Sequence, residues 1–355
     1  MRSTTHPLGT DDGQRTSVSR PALLALALLA CLTFSLLSPA PAQAARPSKV
    51  SVLTFNVCGH AQGCGSWSKR EDAVVRRIVG AKADVVAVQE TWGVLWRLEQ
   101  RLAPYGYVKV ADSGNEGMFA KTSKLAPVTA ATTVTACDDE TVHPTVDTGQ
   151  WGTTTPHTDE AGNTWYLDDG VWSREAWVCR DSIVQAPQVG QTVIAPGGRA
   201  GAAWAMLRVR KTGKAYLFVS AHLSTGKNSV ARKRSKEAAQ LLAVTAAAAG
   251  GRPRVFAGDF NSSIQRGKDT VGSRFEKAGF TDSYTTTKAR TGAGYNTATG
   301  YGKKPATGGS HIDRVMLPRG AVATRWEVVV KVRGGKAVTP VPSDHAPVRV
   351  SIVLR

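Results

Sequence analysis

Apolar and polar positions along the chain follow the patterns that strands and helices require. Residues 49–57 alternate as a strand does, and residues 70–83 place apolar side chains on one face of an amphipathic helix. Residues 84–91 form a continuous apolar strand that ends in Gln89 and Glu90. A strand, a helix and a strand in such short order predict an α/β fold.

The rest of the chain continues this mixture after one long exception. The further elements predicted are a strand at 115–123, a β-hairpin at 203–224 that turns at Thr212-Gly213, a basic helix at 229–249, and strands at 254–260, 311–317, 325–332 and 346–354. Residues from about 128 to 200 predict instead an elaborated surface insert, because they are rich in Thr, Asp, Gly and Trp. The tryptophans either form the small core of this insert or provide a surface that stacks on bases or enters lipid.

The N-terminal residues have the features of a secretory signal peptide. Three arginines precede an apolar run at 21–37, and 42-AQA-44 follows as a cleavage site. We expect residues 1–44 to be removed and residues 45–355 to form one secreted, extracellular domain. A retained membrane anchor is the alternative.

Four cysteines follow the signal peptide, an even number that is typical of an exported chain with disulfides. They allow three pairings. Proximity favours Cys58–Cys64 and Cys137–Cys179, because each pair then closes one loop and the second ties the insert. A metal site is the rival explanation, although no Cys-x-x-Cys pair or Cys/His cluster supports it.

The chain is strongly basic, with 45 Lys and Arg against 27 Asp and Glu and a formal net charge of +18. This charge suits an anionic partner, such as nucleic acid, an acidic membrane surface or a wall polymer. Charge that only keeps a secreted protein soluble is the alternative. The run 231-ARKRSK-236 lies on the predicted basic helix, where it either contacts an anion or forms a solvated face.

Polar residues with chemical uses recur where the apolar strands begin or end. Each has an ordinary explanation by itself, such as a turn, a helix cap or a buried ion pair. Because loops converge at the strand ends of an α/β sheet, the recurrence predicts one functional site. The residues concerned are Asn56, Glu90, His222, Asp259, Asn261, Asp313, Asp344 and His345.

Six short segments carry a resemblance to a known family: 53-LTFNV-57, 85-VVAVQET-91, 219-VSAHLS-224, 257-AGDFN-261, 312-IDRV-315 and 343-SDHAPV-348. In type and order they resemble the endonuclease/exonuclease/phosphatase superfamily, in particular its secreted deoxyribonuclease-I-like members. The resemblance implies a four-layer α/β/β/α sandwich of two packed mixed β-sheets with a site at one edge. It weakens in the insert and at 91-TW-92, where some nucleases of the family have an arginine that contacts phosphate.

The resemblance also implies a hydrolase that uses a divalent cation to cleave phosphodiester bonds. Glu90, Asn56 and Asp344 are the expected ligands, and their oxygens suit Mg²⁺, with Mn²⁺ or Ca²⁺ as alternatives. His345 is the expected general base for water. Asp313 is expected to accept from the other ring nitrogen and so to fix the tautomer.

Four further residues complete the expected site. Asp259 and Asn261 would orient water or phosphate and stabilise the departing oxygen. His222 would donate to a phosphoryl oxygen or supply a proton. Glu116 would pair with His222, as a glutamate does in the deoxyribonuclease relatives.

The positive charge favours a monomeric nuclease that acts on DNA or RNA. One alternative is a sphingomyelinase or another phospholipid or phosphoinositide phosphohydrolase, which would have the same catalytic residues and an aromatic loop that meets membrane. The other is a binding protein that keeps the fold without the chemistry. A complete set of polar residues argues against the latter.

Overall fold

The residues described by the computed structural model are 47–60, 63–142, 157–158, 162, 164–168, 171–194, 200–226, 230–266 and 269–355. For residues 132–142, 157, 165–168 and 171–185 it describes the backbone alone. Together these described residues form one compact unit. The signal peptide predicted at residues 1–44 lies outside the described residues and stays a prediction.

The helices are α1 (Trp67–Ala81), α2 (Leu95–Leu102), α3 (Ala231–Ala249), α4 (Thr270–Lys277) and α5 (Ser283–Thr286). The strands are β1 (Ser48–Asn56), β2 (Val85–Gln89), β3 (Tyr107–Asp112), β4 (Glu116–Lys121), β5 (Leu125–Pro127), β6 (Thr129–Val142), β7 (His157–Thr158), β8 (Thr164–Asp168), β9 (Val171–Pro187), β10 (Val189–Val193), β11 (Gly201–Val209), β12 (Ala215–His222), β13 (Arg254–Asp259), β14 (Phe280–Asp282), β15 (Arg290–Thr291), β16 (Asp313–Pro318), β17 (Val322–Val328), β18 (Val332–Arg333), β19 (Lys336–Ala337) and β20 (Val348–Leu354). No helix among the described residues is long and apolar enough to span a membrane.

The first large sheet is mixed and has the strand order β15-β17-β20-β1-β2-β4-β3. β1 runs parallel to β2, and the register pairs Asn56 with Gln89 where both strands end. β20 runs antiparallel to β1 and pairs Val348 with Thr54. The segment just before β20, which contains His345, therefore reaches the edge of the sheet at which β1 ends.

The second large sheet has the strand order β10-β11-β12-β13-β16-β14, with β5 beside β11. β12 and β13 are parallel, and the register pairs His222 with Asp259. β16 is antiparallel to β13 and begins with Asp313 opposite Asp259. Three predicted site residues thus occupy adjacent strands at one edge.

The two sheets pack face to face, with helices on their outer faces. Val52 and Ala87 of the first sheet share a buried cluster with Phe218 and Val255 of the second. Helices α1 and α2 pack their apolar faces on the first sheet, and α3 and α4 pack theirs on the second. This order of layers confirms the predicted α/β/β/α sandwich.

Most predicted elements are present, with ends that differ by a few residues. The strand predicted at 84–91 ends at Gln89, because Glu90 has a φ of 54°, which an extended strand does not allow. The hairpin predicted at 203–224 is formed by β11 and β12, and Gly213 in its turn has a φ of 72°. The sequence pattern does not predict β3 or α4, since short elements at the edge of a fold lack a long periodic signal.

The predicted insert contains a long antiparallel pair, β6 and β9, whose register places Cys137 opposite Cys179. The side chains of these two cysteines and of the insert's tryptophans lie outside the described part of the structure. The disulfide predicted there therefore stays a prediction. The other predicted disulfide, Cys58–Cys64, is present with an S–S distance of 2.02 Å.

Candidate active site

Seven of the eight polar residues predicted at strand ends form one connected group at one edge of the sandwich. They come from both sheets, because β1 and β2 end at the same edge as β12 and β13. The group consists of Asn56, Glu90, His222, Asp259, Asn261, Asp313 and His345.

The carboxylate of Asp259 is the centre of this group. Its Oδ2 accepts a hydrogen bond from Nδ2 of Asn56 at 3.2 Å and lies 3.6 Å from Nε2 of His222. The same oxygen lies 3.8 Å from Nε2 of His345. Its Oδ1 accepts from the backbone N–H of Asn261 at 2.9 Å. One buried carboxylate oxygen therefore faces two imidazole nitrogens that come from different elements.

Two residues of the group have left-handed backbone conformations just after their strands. Asn261 has a φ of 50°, which asparagine tolerates, whereas the φ of 54° at Glu90 is unusual for a glutamate. The backbone N–H of Gly59 donates to the carbonyl of Glu90 at 2.7 Å, and a Cβ at position 59 would lie 2.5 Å from that carbonyl oxygen. The close approach that holds Glu90 in its turn therefore requires glycine at position 59.

His345 is oriented by Asp313, as predicted from the sequence. Its Nδ1 lies 2.8 Å from Oδ2 of Asp313, and its side chain is only 10% exposed. Burial by itself would lower the pKa of His345, but the carboxylates of Asp313 and Asp259 outweigh burial and raise the pKa to about 10. In this arrangement His345 carries a proton at neutral pH. A role as general base therefore requires that the field of these carboxylates be offset.

His222 is fixed from one side by Asn261. Nδ2 of Asn261 donates to the carbonyl of Leu223 at 3.0 Å and lies 3.3 Å from Nε2 of His222. Because an amide nitrogen only donates, Nε2 accepts from Asn261 when it is unprotonated, whereas a proton on Nε2 faces the carboxylate of Asp259 at 3.6 Å. Nδ1 is buried and has no hydrogen-bond partner among the described residues.

The predicted hydrogen bond between Glu116 and His222 is not formed. Glu116 is buried and accepts from Oγ of Ser113 at 2.6 Å and from Nδ2 of Asn115 at 2.9 Å. Burial raises its pKa, against the opposing effects of Ser113 and the nearby His222. Glu116 thus lies close enough to His222 to interact through charge, while its hydrogen bonds are directed to its own loop.

Asn56 takes part in the site as a donor. Its Oδ1 accepts from the backbone N–H of Cys58 at 3.1 Å, which fixes the orientation of the amide. Nδ2 therefore points to the carboxylates, donating to Oε1 of Glu90 at 2.9 Å and to Asp259. The prediction that Asn56 offers its oxygen to a cation is not supported by this orientation; instead its amide holds two carboxylates side by side.

Asp344, a predicted metal ligand, lies beside the disulfide in the loop that follows β1. Its carboxylate clusters with the sulfurs of Cys58 and Cys64, which are bonded to each other and so are not free to bind a metal. The other cluster of possible ligand atoms among the described residues is formed by Asp259, Asp313 and His345, all within 4.8 Å of one another. Asp259, which was predicted to orient water or phosphate, thus belongs to this cluster, whereas Asp344 belongs to the other.

Arg70 is a buried residue of α1 that sequence reasoning missed. Its guanidinium donates to the carbonyls of Val57 at 2.6 Å and Pro342 at 2.8 Å, and also to those of Cys58 and Gly59. It ties the loop after Asn56 to the segment that leads to His345. Because the helix pattern places Arg70 on a polar face, the sequence gives no sign of its burial.

Gln89 is a second buried polar residue near the site that was not predicted from the sequence. Its Oε1 accepts from Oγ1 of Thr54 at 3.2 Å, and its Nε2 donates to Oγ of Ser220 at 3.0 Å. It thereby links β1 and β2 of the first sheet to β12 of the second. An amide inside the apolar strand 85–89 is the signal by which the sequence could have revealed it.

The residues of the site fit a divalent cation. Glu90 and Asp259 both accept from one amide nitrogen of Asn56, and ligand atoms of Asp259, Asp313 and His345 lie within 4.8 Å of one another. Oδ1 of Asp313 is buried and has no hydrogen-bond partner among the described residues. Converging hard oxygens with an unpaired buried acceptor are the donor set that Mg²⁺, Mn²⁺ or Ca²⁺ prefers.

Solved structures with the same fold have low sequence identity to this chain. An endonuclease/exonuclease/phosphatase family protein from Bacteroides thetaiotaomicron has a TM-score of 0.57 and 18% identity, with 87% of this chain and 99% of that chain covered. A mannosyl-6-phosphatase from the same species has a TM-score of 0.54 and 18% identity, with 86% and 100% covered. D. rerio TDP2 in complex with a single-stranded DNA product has a TM-score of 0.51 and 16% identity, with 86% and 99% covered.

These similarities show the fold and leave the substrate open, since the named proteins differ in what they act on. No curated protein matches the chain. The model of the Endonuclease/Exonuclease/phosphatase family matches residues 53–345, which include Asn56 at one end and His345 at the other. The chain therefore belongs to the Endonuclease/Exonuclease/phosphatase family, whose members are hydrolases of phosphate esters.

Proposed function

We propose that the protein is a secreted, metal-dependent phosphodiesterase and that its substrate is nucleic acid. The observation that carries the proposal is the position of two imidazoles on one buried carboxylate. Nε2 of His222 and Nε2 of His345 both lie within 4 Å of Oδ2 of Asp259. Cleavage of a diester requires a proton to leave water and another to reach the departing oxygen, so two histidines that face one space suit this reaction.

Six of the seven residues of the group have a role in this proposal. Asp313 holds His345 so that Nε2 faces the reaction space, where it takes a proton from water. His222, whose Nε2 lies 3.6 Å from the same carboxylate oxygen, donates from Nε2 to a phosphoryl or departing oxygen. Asn56 donates to Glu90 and Asp259 and keeps their carboxylates in place.

Glu90 and Asp259 would hold the cation, with Asp313 beside them. When bound, a divalent cation supplies positive charge at the phosphoryl oxygens and offsets the carboxylate field that keeps the proton on His345.

The choice of nucleic acid over other phosphate esters is supported by charge. A net charge of +18 attracts a polyanion more strongly than a zwitterionic lipid or a single phosphomonoester. Export is supported by the predicted cleavage site at 42-AQA-44 and by the Cys58–Cys64 disulfide, since disulfides persist in oxidising compartments. We propose that the enzyme acts as a monomer.

The test offers purified residues 45–355 five substrates in parallel, with and without Mg²⁺: duplex DNA, single-stranded DNA, RNA, sphingomyelin vesicles and mannose 6-phosphate. We expect cleavage of nucleic acid with Mg²⁺ and none in excess chelator. His345→Ala protein, purified in the same way, is the control for contaminating nucleases. Hydrolysis of sphingomyelin or of the monoester without cleavage of DNA or RNA would overturn the proposal, and so would full turnover in chelator.

The variant Glu90→Gln tests whether Glu90 is a ligand of the metal. Loss of a ligand carboxylate should raise the Mg²⁺ concentration needed for half-maximal rate as well as lower the rate. An unchanged Mg²⁺ requirement would mean that Glu90 is not a ligand.

A further inference from the structure

Two exposed tryptophans follow Glu90 at the edge of the candidate active site. The exposed fraction of Trp92 is 71% and that of Trp96 is 56%, the highest values among the exposed aromatic residues that the structure describes. Leu95, Leu98 and Leu102 of the same segment are buried. The segment therefore buries its leucines against the sheet and presents its two indoles outward.

The turn that carries Trp92 is held on both sides. The backbone N–H of Thr91 donates to the carbonyl of Asn115 at 2.9 Å, and that of Leu95 donates to the carbonyl of Thr91 at 3.1 Å. Gly93 packs against the ring of His60, where an added Cβ would lie 2.9 Å from Nδ1. Trp92 is thus exposed on a well-supported turn between β2 and α2.

Both tryptophans belong to the short segment that directly follows Glu90. Trp96 is four positions after Trp92 and lies in the first turn of α2, while Trp92 precedes the helix across Gly93, whose φ is 72°. Trp92 is two residues beyond Glu90, which limits the separation of their Cα atoms to about 7 Å. The guanidinium of Arg97 lies 5.6 Å from the ring of Trp96 and is itself bonded to Glu71 at 2.6 Å, which restrains the outer indole.

We propose that Trp92 and Trp96 form a stacking platform for unpaired bases of a nucleic-acid substrate, with Trp92 taking the base nearest the scissile phosphate. This inference rests on the proposed function and adds a preference for single-stranded or frayed substrates. Aromatic side chains stack on the π-face of any base, and a base is accessible to an indole only when it is unpaired. The positive charge of the chain attracts the phosphate groups of the strand that carries the stacked bases.

Insertion of the same indoles into a membrane is disfavoured by their surroundings. Glu99 lies three residues after Trp96, on the same side of α2, with 44% of its side chain exposed and an ion pair to Lys109 at 3.1 Å. Asp72, which pairs with Arg101 of α2, is 63% exposed. Burying these charges in lipid would remove them from water, whereas stacking on a base leaves them hydrated.

The experiment compares Trp92→Ala, Trp96→Ala and Trp92→Phe with Tyr105→Ala. Tyr105 is an exposed aromatic residue (51%) just beyond the far end of α2 and is the matched control. Rates are measured on a short single-stranded oligonucleotide, the same sequence as a duplex, and bis(p-nitrophenyl) phosphate, which has no base. Binding of the oligonucleotide and of phosphatidylcholine vesicles is measured in parallel.

Trp92→Ala should raise KM for the single strand about 5- to 100-fold, as expected for the loss of one stacked base. Its rate on bis(p-nitrophenyl) phosphate should stay within about twofold of the parent, because the reacting groups are untouched. Trp96→Ala should show a smaller effect, Trp92→Phe should keep most of the affinity, and Tyr105→Ala should show none.

An unchanged KM for the single strand in Trp92→Ala would overturn the inference, as would an equal loss on the substrate without a base. Weakened vesicle binding with unchanged oligonucleotide binding would assign the indoles to lipid instead. These outcomes differ from failure of the proposed function, in which the parent enzyme itself would not cleave any nucleic acid.

Discussion

Nδ1 of His345 lies 2.8 Å from Oδ2 of Asp313, although one residue precedes a strand of the first sheet and the other opens a strand of the second. Asp313 opens β16, and His345 precedes β20. The contact directs Nε2 of the ring to Asp259. The candidate active site therefore depends on the docking of one sheet against the other.

The His345–Asp313 pair should act as one unit in catalysis. We expect His345→Ala to lower kcat roughly 10²- to 10⁴-fold, which is typical of the loss of a positioned acid or base. Asp313→Asn should lower the rate through the same histidine, so the double variant should be little slower than the slower single variant. Rates measured on bis(p-nitrophenyl) phosphate check this, and losses that multiply would contradict it.

The same pair should make the metal-free protein less stable as pH rises. The pKa of His345 is raised to about 10 in the folded state, above the value of about 6.5 in an unfolded chain. The folded state thus binds this proton more tightly, and the stabilisation is fully present below about pH 6.5 and is lost as pH rises through 10.

Thermal melts in chelator between pH 6 and pH 10 measure this dependence. His345→Gln should flatten the decline in melting temperature that the parent shows. A parent and variant with parallel curves would contradict the assignment of the proton to His345.

Arg70 should influence both activity and stability, because four backbone carbonyls of two site loops depend on it. Lysine cannot reach all of them with one ammonium group. We expect Arg70→Lys to lower kcat with little change in KM, since the loops carry Asn56 and His345. We expect Arg70→Leu to lower the free energy of unfolding by about 3 kcal/mol or more, because buried carbonyls lose their donors.

Arg77 provides the control for a buried arginine of the same helix. Its guanidinium donates to the carbonyl of Val329, just beyond β17, rather than to the carbonyls that Arg70 holds. Arg77→Lys should lower stability without the same fall in kcat. Equal effects on kcat at the two positions would mean that Arg70 supports the fold in general and does not specifically position the site loops.

The basic run on α3 should contribute to binding of a polyanion, but only through part of its residues. Arg232 and Lys236 are exposed, whereas Arg234 is buried and donates to the carbonyls of Ser224 and Gly226. The loop that Arg234 holds follows His222, so the first turn of α3 lies close to the site. We expect Arg232→Gln/Lys236→Gln to reduce the slope of log affinity against log salt on duplex DNA by about 1.8.

Lys124→Gln/Lys211→Gln is the matched control for charge. Both lysines are exposed on turns at the opposite end of the strands from the site, since β12 runs from that end to His222. This variant should leave the salt slope unchanged. An equal reduction in both variants would indicate non-specific attraction by net charge alone.

The sequence by itself determined the fold class and most of the residues that make up the site. Strand periodicity and the polar residues at strand ends are local features, so segments such as 257-AGDFN-261 and 312-IDRV-315 predict both an element and the chemistry at its end. The short Cys58–Cys64 loop was predictable for the same reason, because its partners are close in the chain.

The tertiary structure alone decided which of these groups meet and in which orientation. Asn56 and Asp259 are 203 residues apart, and only the packing of the two sheets brings the amide of one to the carboxylate of the other. The backbone N–H of Cys58 holds the amide oxygen of Asn56, so that the amide nitrogen faces the carboxylates. Asp344 lies beside a disulfide. In the sequence Arg70 and Arg234 resemble surface charges. Both are buried in the fold and donate to backbone carbonyls of other segments, and such contacts leave no mark on the local pattern of apolar residues.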